Sequence, residues 1–103
     1  MTLRDALAES ADGVDEVSTT TGADGAVEYR AGGKTVAVVA ASGTSAEFLL
    51  TTAVASAAAR TPDTAPSPRG PGWVRFEPAD LDDHAIDRAV AWLGFAVRHA
   101  TAD

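Results

Sequence analysis

The sequence contains no cysteine, no asparagine and no glutamine, and only one lysine and one isoleucine. Without cysteine there is no disulfide, no thiolate metal site and no thiol nucleophile. Histidine is limited to His84 and His99, which fall on one predicted helix about four turns apart, too far to act together. None of Ser18, Ser42, Ser45, Ser56 and Ser67 sits in a nucleophile elbow, and the glycine turns at 22–25 and 32–33 do not form a phosphate loop. Long hydrophobic runs are also missing. The longest, Phe48 to Ala59, is interrupted by threonines and a serine and is too short to span a bilayer. The N-terminus lacks the basic and apolar regions of a secretory signal, so a cytoplasmic location is expected. Positive charge is scarce: eight basic residues face fifteen acidic ones, for a net charge of −7. Such a chain repels polyanions overall, which makes nucleic acid an unfavoured partner.

What is present suits one small domain. The chain has 103 residues, 46% of them hydrophobic, and a mean hydropathy near zero, which supports a single core. Much of the apolar fraction is alanine. The larger side chains expected in the core are Leu3, Leu7, Val36, Val38, Val39, Phe48, Leu50, Trp73, Phe76, Ile86, Val90, Leu93 and Val97. The bias towards Ala, Gly, Asp and Arg has the look of a high-GC bacterial genome.

Thr2 followed by Asp5 reads as a helix cap with a carboxylate at N3, opening a helix to about Ala11 with Gly13 as its stop. Val14–Thr20 suits an edge strand. Gly22–Gly25 then makes a hairpin turn, and Val27 and Tyr29 alternate with polar residues in a second strand. Ala31-Gly-Gly33 turns the chain into an apolar central strand from Lys34 to Ala41. After Ser42-Gly-Thr44, a fourth strand alternates Ala46, Phe48 and Leu50 with Glu47 and Leu49. Thr51 or Thr52 caps an alanine-rich helix to about Ala59. Trp73–Phe76 is a fifth strand ended by Pro78, and Asp80 or its neighbours cap a last helix to about Ala100. The expectation is an α+β fold: an antiparallel five-stranded curved sheet with an N-terminal helix, a short middle helix and a long C-terminal helix, in the order α-β-β-β-β-α-β-α. It forms a single domain over residues 1–103.

The unusual segment lies inside that domain. Four of the five prolines fall between Pro62 and Pro71, so residues 60–72 read as a stiff, extended, proline-rich loop. Loops of this length are more often functional than short ones.

The Tyr29-Arg-Ala-Gly-Gly-Lys34 strand entry, the Gly72-Trp-Val74 strand and the acidic-capped helix from Asp83 to His99 resemble the MmcQ/YjbR-like proteins. The chain is also similar to small actinobacterial proteins grouped under a "luciferase family" label, which carries no implication of light emission. The matching motifs cover about two-thirds of the chain, with the Arg-Thr-Pro-Asp segment standing where those proteins have a shorter loop. The resemblance implies a compact α+β fold with a curved antiparallel sheet, sometimes compared with DNA-binding double-wing proteins. It supplies no catalytic residues.

On a helical wheel, Ile86, Val90, Leu93 and Val97 form the expected core stripe of the last helix, while His84, Arg88, Trp92, Phe95 and His99 share a second face. Trp92 and Phe95 need a cover, supplied by the domain's own core or by a second subunit. Arg60 and Arg69, in the rigid segment, have the fork geometry to grip a carboxylate or phosphate. The acidic cluster Glu77, Asp80, Asp82, Asp83 and Asp87 is explained by helix capping and the helix dipole, not by a metal. The expected working residues are therefore Arg60, Arg69, Trp73, Arg88 and Trp92, with the proline segment packing near the last helix. No catalytic residue, metal or cofactor is expected. The function expected is a non-enzymatic domain binding a small molecule or a protein, as a monomer or homodimer. A DNA-binding regulator of double-wing type and an auxiliary small-metabolite enzyme are the alternatives.

Overall fold

The computed structural model describes residues 2–12 and 17–101. Gly13 and the Val14–Glu16 part of the expected first strand lie outside the described residues. Over these residues the fold is α+β, with three helices on an antiparallel sheet. In chain order the elements are α1 (Leu3–Asp12), β1 (Ser18–Thr21), β2 (Val27–Ala31), β3 (Lys34–Val39), β4 (Ala46–Leu49), α2 (Thr52–Ala58), β5 (Thr64–Pro66), β6 (Trp73–Phe76) and α3 (Asp83–Thr101).

The helix starts follow the expected chemistry. Asp5 N–H donates to Thr2 Oγ1 at 3.2 Å and Thr2 N–H donates to Asp5 Oδ2 at 3.3 Å, a reciprocal cap. Thr51 Oγ1 accepts from Val54 N–H at 3.1 Å to open α2. Asp82 Oδ1 accepts from Ala85 N–H at 2.8 Å and so opens α3.

The expected five-stranded sheet is corrected: it has six strands in the order β1-β2-β3-β4-β6-β5, every neighbouring pair antiparallel. The first four strands form the meander. The chain then passes through α2 to the far edge and returns as β6, inserted against β4. The extra strand is part of the proline segment. Its ladder bonds fall on odd-numbered residues: Ser67 N–H donates to Trp73 O and Glu77 N–H to Asp63 O. Pro66 has the other parity, so the N–H it lacks would have faced away from β6, and an edge position costs it no ladder bond.

One face of the sheet meets the helices. Val27, Tyr29, Val39, Ala46, Phe48, Val74 and Phe76 are buried there with Leu3 and Leu7 of α1. Against them α3 presents Ala85, Ala89, Leu93, Ala96 and Val97. The expected core stripe is thus shifted: Ile86 and Val90 are only half-buried, because alanines let the helix lie close to the sheet. The space beside them holds Trp92, whose ring lies 5.1 Å from Phe76 and 6.0 Å from Phe48, centroid to centroid. The domain's own core therefore covers Trp92. α2 packs against β5 and β6 with Ala55 and Ala58 turned inward.

The other face carries Glu28, Val38, Glu47 and Arg75 in one cross-strand row, with Leu49 beside Trp73 in the next. Among the described residues no helix packs over that row.

Candidate functional site

Four of the five expected working residues are divided between the two faces. By strand alternation Trp73 and Arg75 point to the open face, and Val74 and Phe76 to the core. Arg69 and Trp73 therefore meet on the open side, while Arg88 and Trp92 meet on the helix side. Arg60 stands apart, exposed just beyond α2: its backbone N–H donates to Ala57 O at 3.2 Å, but its side chain makes no hydrogen bond or ion pair among the described residues.

On the helix side, Arg88 joins the proline segment to α3, as the sequence suggested. One of its terminal nitrogens lies 2.7 Å from Thr61 Oγ1, 2.9 Å from Pro62 O and 3.3 Å from Thr64 Oγ1. Its guanidinium carbon is 4.8 Å from the Phe76 ring centroid and 5.1 Å from that of Trp92, within cation–π range. Thr61 and Thr64 prepare this seat: Thr61 Oγ1 donates to Ala58 O at 2.6 Å and Thr64 Oγ1 to Pro62 O at 3.1 Å. Asp63, between them, has φ of 64°, a left-handed conformation that aspartate tolerates better than most residues. Arg88 is thus committed to holding the turn into β5. His84 lines a cleft beside it with Asp80 and Asp82, and His99 stacks on Phe95 with centroids 6.1 Å apart. Among the described residues no group of three acidic or histidine side chains is arranged to hold a metal ion.

The open face has the more developed constellation, and its centre is a residue that sequence reasoning passed over. Glu47 lies mid-strand in β4, opposite Arg75 of β6. Arg69 Nε donates to Glu47 Oε1 at 2.9 Å, and the Ser67 hydroxyl donates to Glu47 Oε2. Burial pushes the Glu47 carboxyl up, but the hydrogen bonds from Ser67 and Arg69 and the charges of Arg69 and Arg75 outweigh it, holding the group below its ordinary range. Ser67 also accepts from Arg69 N–H at 3.2 Å. Arg69 in turn lies with its guanidinium carbon 5.5 Å from the Trp73 ring centroid. The loop that delivers it, between Ser67 and Trp73, is closed by Trp73 N–H donating to Gly70 O at 3.2 Å.

The result is an arginine fixed on both sides. Glu47 takes its Nε, Trp73 supports its plane, and its terminal nitrogens make no hydrogen bond among the described residues. Its side chain stays 42% exposed, against 21% for Glu47, so the guanidinium edge faces solvent while its anchor is sheltered. A shallow cavity of about 290 Å³ lies beside it, lined by Val38, Glu47, Arg69 and Arg75 with Asp24 and Ser45 at its border. Arg75 is held more loosely, 3.7 Å from Glu77.

No helix among the described residues is long and apolar enough to cross a membrane. No protein-family model, no curated protein and no solved structure matches this chain.

Proposed function

We propose that this chain is a non-enzymatic binding domain whose working surface is the open face of the sheet, where Arg69 receives an anionic group of a small molecule or partner protein. The observation that carries this reading is the fixed guanidinium. Glu47, Ser67 and Trp73 hold Arg69 in place before any ligand arrives, and its two terminal nitrogens stay turned to solvent. An arginine ordered in advance loses little side-chain entropy on binding, and its planar fork suits the two oxygens of a carboxylate or phosphate. Trp73 and Leu49 add apolar area beside the charge, as binding surfaces commonly do.

Arg88 and Trp92 support this surface from the other side of the sheet, holding β5 and β6 in register. Net charge disfavours a duplex DNA ligand, and no feature of the open face favours that alternative. Arg75 lies next to Glu47 on β6, with β4 between it and the strands carrying Arg30 and Lys34, so these three residues do not share one basic patch.

The test is a nitrogen-15 NMR titration with sodium acetate and with inorganic phosphate, following the Arg69 Nε–H and the Trp73 indole N–H. Saturable shifts in the wild type that vanish in Arg69→Ala are the expected result. Shifts that survive in Arg69→Ala, or none up to about 100 mM, a limit set by the weakness of single surface ion contacts, overturn the assignment.

A further inference from the structure

A second concavity lies next to the open face and uses none of Glu47, Ser67 or Arg69. Between α2 and the β5–β6 hairpin is a cleft of about 440 Å³, inside the roughly 300–1,000 Å³ range of small-ligand pockets. Its depth comes from residues with almost no side chain, Ala55 and Ala59 on one side and Gly72 on the other. Gly72 is not exchangeable there. Its φ is +84°, and a Cβ would stand 2.5 Å from the Leu50 carbonyl oxygen. Trp73 and Pro71 supply flat apolar walls, and Arg60 supplies the cleft's only charge.

The charge distribution along the chain gives that arginine its meaning. Of fifteen acidic residues only Asp63 lies between Phe48 and Phe76, whereas three of the eight basic ones do: Arg60, Arg69 and Arg75. In a chain with a net charge of −7 this stretch is poor in acid, and of its three arginines only Arg60 lines the cleft. Arg69 is paired with Glu47 and Arg75 with Glu77. Arg60 alone of the three has no carboxylate partner among the described residues.

We infer that this cleft binds a small organic carboxylate with a planar apolar body. The body lies against Trp73 and over the alanine and glycine floor, while the carboxylate meets the Arg60 guanidinium. The flat wall favours a ring over a flexible chain, the single unpaired guanidinium favours a monoanion, and a lining whose other polar side chains are only the hydroxyls of Thr52 and Ser56 favours a ligand with no second charge.

The probe is 2-naphthoate, with 2-naphthamide as its uncharged twin, titrated into nitrogen-15-labelled protein. Naphthoate should move the Trp73 indole N–H and the Ala55, Ala59 and Gly72 amides saturably. Naphthamide should bind about tenfold more weakly, the loss of one charge-assisted contact. Arg60→Gln, an exposed substitution that leaves the core untouched, should reduce naphthoate to the affinity of naphthamide. Arg69→Ala should still bind naphthoate, which separates this cleft from the anion site proposed on the open face. Equal affinity for the two probes, an Arg60→Gln variant that binds naphthoate like the wild type, shifts centred elsewhere, or no shift at about 10 mM, well above the affinity expected of a pocket this size, would each overturn the inference.

Discussion

At the scale of single residues, Glu47 shows how a role is hidden from sequence. In Ala46-Glu-Phe-Leu49 it is simply the polar half of an alternating strand, and most such residues are solvated. What makes it different is Arg69, twenty-two positions away, brought alongside by a hairpin that a proline count argues against. Arg69 and Trp73 stood out in the sequence because an arginine and a tryptophan in a rigid segment carry a chemical signal on their own. Their anchor was not, since a lone glutamate carries none. The anchor has a measurable consequence in acid. With its pKa depressed in the fold, Glu47 stabilises the protein fully above its ordinary value near 4.5, and that stabilisation is lost as pH falls through the lower folded value. Glu47→Gln should therefore cost about 1 kcal/mol at pH 7, solvent screening of the exposed Arg69 keeping the figure modest. Urea midpoints of variant and wild type should converge in acid below the ordinary carboxylate range; a gap that is the same at pH 7 and in acid would show that the charge on Glu47 is not what stabilises it.

At the scale of elements, local chemistry wrote most of the fold in plain view. The Thr2/Asp5 cap, the Thr51 cap, the Gly32-Gly33 turn with both φ values positive and the alternation of β4 and β6 all follow from short-range rules. The proline-bearing edge strand β5 did not, because proline is read first as a strand breaker. Yet Pro62, Pro66 and Pro68 share one parity, and an edge strand needs donors only at the other. Parity, not proline content, was the usable signal. It also makes a prediction. Ala65 pairs with Arg75 at a ladder position, so Ala65→Pro should cost about 3 kcal/mol or more, whereas Pro66→Ala should cost under about 1 kcal/mol. Thermal denaturation of the two variants compares them directly, and equal costs would contradict the register. The shifted face of α3 has a similar origin: a wheel weighted by side-chain size favours Ile86 and Val90, but close packing on a sheet favours Ala85 and Ala89.

At the scale of the whole molecule, two halves meet at the β4–β6 pairing: a meander built from neighbours in sequence, and a hairpin that arrives after a helix. Trp92 sits across the join, touching Phe48 of one half and Phe76 of the other. Trp92→Ala should therefore destabilise the domain by about 3–5 kcal/mol, seen by chemical denaturation, and leave its native mass unchanged; a change of subunit number with little loss of stability would instead assign the ring to an interface. The hairpin's own tip is governed differently. The ladder bond from Ser67 N–H to Trp73 O fixes both ends of the turn, so what lies between Arg69 and Pro71 does not set the register of any strand. Loop closure grows dearer only slowly with length. Residues can be added at that tip while the strands beneath keep their register, provided Gly70, whose φ is +138° and whose carbonyl closes the turn, is kept, so one frame can evolve different recognition specificities at its rim.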